Sequence, residues 1–317
     1  MDIIVFRSHE LPIVLGTLRT LVARPSARQL RYLGAIARLH GCNLDPSMVT
    51  TVPVPLTAAA IQDPHRRKRL VQLAVIMTMV DGKVLVRPAR AVAALAEALE
   101  VEEPAVRTLP LLVSEKPLRT RANLMRRVLG KFLSEAWRDQ GFAGVHQVIA
   151  GFLGRGGDRA TALRYAQLQH LPHGSLGRTL WEHCTLRKFA LPGQPGAIPE
   201  RVLFHDVGHV LSGYDTDPAG EIRQAAFQAG FVRKDGFMFL FFGVIQFHMG
   251  VKITPVAEAE HGFFDVEAVL TALARGAACA VDLSDRWDLW AAAAQPLEQV
   301  RAEYCVPPLV AAASAAA

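Results

Sequence analysis

The chain has 317 residues, 51% of them apolar and 20% charged, which is long enough to bury two cores and too apolar for a disordered polymer. Its net charge of +6 is uneven: residues 1–132 hold 20 Lys and Arg against 10 Asp and Glu, and residues 133–317 hold 15 against 19, so the two halves are expected to differ in role. Cys42, Cys184, Cys279 and Cys305 lie far apart without a C-x-x-C pair, which argues against a disulfide framework or a cysteine zinc site and fits a reducing cytoplasm.

The first apolar runs, Ile3–Phe6 and Leu11–Gly16, are interrupted by Arg7, His9 and Glu10, so neither a secretory signal nor a spanning helix is expected. Residues 12–132 read as helices throughout. Leu33–Pro46 and Leu73–Leu85 repeat one plan: an apolar helix, a polar-glycine turn at Gly41 or Gly82, and an extended hydrophobic step. With Asp81-Gly82 and a following helix over Ala91–Glu100, this segment resembles the tellurite-resistance TerB-like helical domain. It departs from that family at Arg87-Pro88-Ala89-Arg90, where an acid is usual, and at His40, which replaces the first Asp, so residues 1–133 read as a scaffold or docking module.

Two basic clusters, His65-Arg66-Arg67-Lys68-Arg69 and Arg119 through Lys131 (with Arg121, Arg126 and Arg127), supply most of the positive excess. They read as solvated helix faces, with an anionic membrane surface as the alternative. Nucleic acid is not expected, because no aromatics are interleaved with them. Residues 133–170 continue as amphipathic helix, broken at Gly154–Asp158, and the domain boundary falls between 115 and 150. Ser175 caps a helix through Arg178, Trp181, Glu182 and Lys188, in which Arg178 and Lys188 can hold a carboxylate or phosphate head. His173, His183 and His261 read as surface or packed residues, with a role around the site as the alternative.

After the loop Gly193–Pro199 comes Phe204-His205-Asp206-Val207-Gly208-His209-Val210. At helical spacing His205, Asp206 and His209 share a face about 100° wide, so three potential ligands point one way. Gly213 reads as the helix stop, and Asp217-Pro218 as the N-cap and first position of an antiparallel helix that brings Glu221 towards His209. Two imidazoles with one or two carboxylates suit zinc or another divalent ion, iron or manganese included, with a position open for water or substrate.

Further on, Phe237–Ile245 forms one apolar helix, too short to span a bilayer. It reads as core, and Phe239 and Phe242 with Met238 and Met249 can instead line a pocket for a long apolar chain. Ser284 reads as the cap of a last helix carrying Trp287 and Trp290, kinked at Pro296 and ending near Cys305; the Ala-rich residues 309–317 read as a disordered tail. The fold class is therefore all-α, in two helical domains, the second (134–317) a bundle with a metal-binding helix pair.

The His205-Asp206-x-x-His209 helix followed by Glu221 resembles the Coq-four family of coenzyme Q (ubiquinone) biosynthesis. Leu171-Pro172…Ser175-Leu176-Gly177, Ala225–Gly230 and Trp290…Pro296–Arg301 support the resemblance, which covers about residues 165–308. It implies an all-helical protein that holds zinc or a similar ion through His205, Asp206, His209 and Glu221. It also implies work on an isoprenoid-tailed aromatic beside other quinone-biosynthesis proteins. From its cysteines and basic clusters the chain is expected in the cytoplasm, with a peripheral place at the inner face of the cell membrane as the alternative. The implied reaction is loss of the ring carboxylate of a polyprenyl-hydroxybenzoate with oxygenation of the same carbon. Asp206 is then either a ligand or the acid/base beside the metal. Two other readings stand beside this one: a non-catalytic scaffold binding a quinone intermediate through its isoprenoid tail, and a metal-dependent hydrolase. Homo-oligomerisation is left open.

Overall fold

The computed structural model describes residues 1–114, 116–127, 157–197, 199–253 and 257–309, with Gly130, Leu133 and Arg138. Lys131, the rest of the amphipathic stretch expected up to residue 156 and the tail from residue 310 lie outside them. The elements in chain order are α1 (Leu11–Thr20), α2 (Ala27–Leu39), α3 (Val54–Ala60), α4 (Pro64–Met77), α5 (Val86–Ala98) and α6 (Pro104–Val113), followed by helical residues 117–127 as α7. Then come α8 (Arg159–Ala166), α9 (Leu176–Arg187), α10 (Phe204–Ser212), α11 (Pro218–Phe231), α12 (Phe237–Phe247), α13 (Val266–Ala278), α14 (Leu289–Ala292) and α15 (Leu297–Glu303). Among the described residues there is no strand, only two isolated bridges, and the all-helical fold class holds. No described helix is long and apolar enough to cross a membrane.

The chain divides into two compact units, each built from two stretches of sequence: residues 1–127 with 216–277, and residues 128–215 with 278–317. In the first, α4 is central. It starts at Asp63, whose side chain accepts from the Arg66 amide, with Pro64 at the first helical position, and every residue from Leu70 to Met77 is buried. The expected glycine turns are present, since Gly41 and Gly82 both have positive φ, at 71° and 77°, a region that costs a side chain energy and glycine nothing. The helix after Gly82 begins at Val86 rather than near Ala91, because Pro88 sits in the first turn, where its missing N–H goes unnoticed.

Much of the first basic cluster is engaged within this unit. Arg67 donates to the carbonyls of Ile61 (2.7 Å) and Ala58 (3.1 Å), and Arg66 lies 3.4 Å from the buried Glu10 carboxylate. Arg69 donates to Gln72 (2.6 Å), which donates to the buried Glu103 (2.7 Å). These guanidinium groups compensate buried acceptors, as groups removed from water require. Arg119, Arg121 and Arg126 of the second cluster are exposed.

Helix α11 is gripped from two sides. A Cβ at Gly243 of α12 would lie 2.8 Å from that of Ala225, and Cβ atoms at Gly230 of α11 or Gly276 of α13 would overlap the backbone of the facing helix. We expect Gly276→Ala to cost at least about 2 kcal/mol by this overpacking, seen as a lower urea midpoint at unchanged slope. An unchanged midpoint would contradict the packing.

His248, at the end of α12, is buried and ties three segments together. Its Nε2–H donates to the Val80 carbonyl (3.0 Å), and its Nδ1 accepts from the Phe264 amide (3.2 Å). Burial first, and then the Arg28 charge, lower its pKa against the opposing pull of Val80 and Asp81. The unfolded chain therefore takes up the proton more readily, so this contribution to stability is complete above the ordinary histidine pKa of about 6.5 and is lost as the pH falls below it. We expect a slope of up to about 1.4 kcal/mol per pH unit in that window, flattened in His248→Gln, by urea unfolding at several pH values.

The second unit holds α8, α9, α10, α14 and α15. Its last part differs from expectation: Asp288, not Ser284, caps α14 by accepting from the Trp290 amide, and Pro296 opens a separate helix, α15, rather than kinking one. Ser284 is diverted, since its amide and hydroxyl both bind Asp282 (2.9 and 2.6 Å), the local bonding that competes with helix capping.

Candidate metal centre

Ser175 caps α9 as expected, accepting from the Arg178 amide at 3.3 Å. The adjoining amides of Leu176 and Gly177 donate to the carbonyls of Gln295 (2.9 Å) and Ala293 (2.8 Å). A Cβ at Gly177 would crowd Leu171 (2.6 Å) and Leu168 (2.9 Å). Gly177 is thus needed for close approach, and the turn before α9 is bound to the turn between α14 and α15.

Helix α10 is buried over most of its length, with Asp206 at 9% and His209 at 2% exposure and His205 half-buried. It ends at Gly213, left-handed at φ 76°, whose amide donates to the His209 carbonyl (2.9 Å). That reversal carries the Tyr214 carbonyl onto the His209 ring, where Nδ1–H donates to it at 3.0 Å. His209 is thereby held as the Nδ1–H tautomer, and its Nε2 is left with a lone pair. The Nε2 atoms of His205 and His209 are 3.3 Å apart, with the rings nearly perpendicular (86°). Two metal–nitrogen bonds of 2.0–2.1 Å at a tetrahedral angle would separate the nitrogens by about 3.3–3.4 Å, so this pair fits a shared ion.

Two residues of α9 complete the surroundings. The buried His183 ring stacks on His209 (centroids 5.5 Å, 29°), with Phe189 at its edge. Burial, then the charge of Asp206, pushes the Cys184 thiol up to about 12, so it stays protonated at neutral pH and is a poor nucleophile or ligand. Asp206 itself lies in the first turn of α10, where the helix dipole favours a carboxylate.

Glu221 belongs to the first unit. It lies in the first turn of α11, which opens as expected with Pro218 at its start and Asp217 accepting from the Gly220 amide at 2.5 Å. Glu221, Gln224 and Gln228 share one face of α11, and both glutamines are buried. In α12, Phe239 and Phe242 are half-buried and one turn apart, whereas Phe237 and Phe241 are fully buried.

Arg178 donates through Nε to Glu182 (2.7 Å), hydrogen-bonds the Gln169 carbonyl and covers the Trp181 ring at 4.8 Å, so its charge is already engaged within this unit. Lys188 is exposed in the left-handed residue that ends α9. His173 is exposed beside Glu182 (3.5 Å), and His261 is exposed and bridged to Met249. The Tyr214 carbonyl had no signature in the sequence beyond the Gly213 stop that aims it, because a backbone acceptor can belong to any residue.

No protein-family model and no curated protein matches the chain. Among solved structures, it aligns with a chain from Nostoc punctiforme PCC 73102 whose name proposes a role in ubiquinone biosynthesis. The two are 20% identical over 61% of this chain and 89% of that one, at a TM-score of 0.33.

Proposed function

We propose that the chain is a metal-dependent enzyme acting on an isoprenoid-tailed aromatic acid of quinone biosynthesis. The observation that carries the reading is the His205–His209 pair, with nitrogens 3.3 Å apart and one ring fixed by a backbone carbonyl. The resemblance of this motif and its flanks to the Coq-four family supplies the substrate class and would add Glu221 to the two imidazoles as a ligand. When bound, a divalent ion supplies Lewis acidity to the phenolate and carboxylate oxygens of the substrate. Asp206, buried in the first turn of the same helix, α10, joins the ligand set or moves a proton at the ring carbon. The buried His183 covers one face of the His209 ring and limits water there.

In the proposed reaction the ring carboxylate leaves as carbon dioxide and a hydroxyl takes its place. With dioxygen as the source, one oxygen atom enters the ring and the other leaves as water, with two electrons and two protons from a reductant. Zinc has one accessible oxidation state, so the oxygen chemistry calls for iron, manganese or direct attack of oxygen on the electron-rich ring.

A second reading, a scaffold that holds the isoprenoid tail without turnover, is favoured by the half-buried pair Phe239 and Phe242. A decarboxylation assay on a polyprenyl-4-hydroxybenzoate, with labelled dioxygen and the iron- or manganese-loaded chain, separates them. The enzyme reading expects one labelled oxygen in the product and a loss of about 10²–10⁴-fold in rate in Asp206→Asn if Asp206 is the acid/base. Full turnover with zinc in the absence of oxygen would contradict the oxidative step. No turnover, with tail binding weakened by Phe242→Ala, would leave the scaffold.

A further inference from the structure

The last turn of α10 ends in carbonyls without intrahelical partners, as every helix does. Here they are met by one side chain from α15: Arg301 donates through Nε to the Leu211 carbonyl (3.0 Å) and through Nη2 to the Val210 carbonyl (2.8 Å). Its third nitrogen, Nη1, donates to Glu298 one turn earlier on its own helix (2.5 Å), which aims the fork. A planar guanidinium can bridge two adjacent carbonyls in this way, and its charge suits the negative end of the helix.

What Arg301 grips is the segment that orients His209. Val210 and Leu211 follow that residue directly, and Tyr214, whose carbonyl fixes the His209 tautomer, lies three residues beyond Leu211, with its own amide donating to Ser212 (3.2 Å). The helix that carries Arg301 is in turn fixed to the start of α9, since the Leu297 amide donates to Gly174 (2.8 Å) and Gly177 donates back to Ala293 (2.8 Å). Helix α9 also brings His183 onto His209. Three segments far apart in sequence therefore form one bracket around a single imidazole.

We propose that Arg301 is a positioning residue for this site: by holding the Val210 and Leu211 carbonyls it keeps Tyr214 where it must be for His209 to present Nε2. The inference uses the metal reading only for its affinity measurement; the tautomer can be read without metal.

The test is nitrogen-15 histidine NMR of the metal-free intact chain, with Co²⁺ titration, for the unaltered protein, Arg301→Ala and Arg301→Lys at a temperature where each is folded. The unaltered chain is expected to show a slowly exchanging Nδ1–H on His209. Arg301→Ala is expected to lose it and to bind Co²⁺ about 10–100-fold more weakly, the usual effect of removing a group that orients a ligand. Arg301→Lys keeps the charge but serves one carbonyl, so it is expected to show a smaller loss of the same kind, and it decides the matter should the alanine variant not fold. A folded variant that keeps the Nδ1–H signal would overturn the proposal, because a merely structural cap would lower stability and leave the tautomer alone. If the unaltered chain takes up no Co²⁺, the metal reading fails and the proton signal still decides the role of Arg301.

Discussion

One hydrogen bond organises the second unit: Nδ1–H of His209 donating to the Tyr214 carbonyl. An isolated imidazole is free to carry its proton on either nitrogen, and only one choice leaves Nε2 able to face another ligand nitrogen. The bond exists because α10 stops at a left-handed Gly213 and the chain doubles back within two residues. A side chain at that φ would be strained, so glycine there serves the geometry of the histidine as well as the end of the helix. The flanking motifs then acquire a physical sense, since Leu176, Gly177 and Arg301 are the points where α9, α15 and α10 are fastened.

The first unit is held together by different means. Helix α11 is set by glycines, which allow backbones to approach where side chains would collide, and its N-terminus is set by Asp217 and Pro218. Glu221 is therefore placed by a capped first turn on a tightly packed helix. The face it shares with Gln224 and Gln228 combines a carboxylate with buried amides, and an apolar helix carrying Phe239 and Phe242 follows.

Much of this was legible in the sequence, where the physics is local. Gly213, Asp217-Pro218 and Ser175 act through bonds to their immediate neighbours, and each does what its residue type and position suggest. Ser284 shows the limit of that logic: a good capping residue was drawn to the nearby Asp282, and Asp288 took the cap. Long-range matters were hidden. Nothing in the spacing of His183 announces that it stacks on His209, and the run Arg66–Arg69 reads as surface charge until Glu10, Gln72 and the carbonyls of Ile61 and Ala58 are found beside it. The grouping of residues 216–277 with the first 127 is likewise a property of packing that composition does not record.

The central claim is that the two histidines exist to hold an ion, and elemental analysis of the purified intact chain beside a His205→Ala/His209→Ala double variant tests it most directly. The account predicts about one equivalent of a divalent metal in the intact protein and none in the variant, with helical content unchanged. A well-folded intact protein that neither contains nor takes up metal, or a double variant that retains it, would contradict the account and leave α10 as a structural helix.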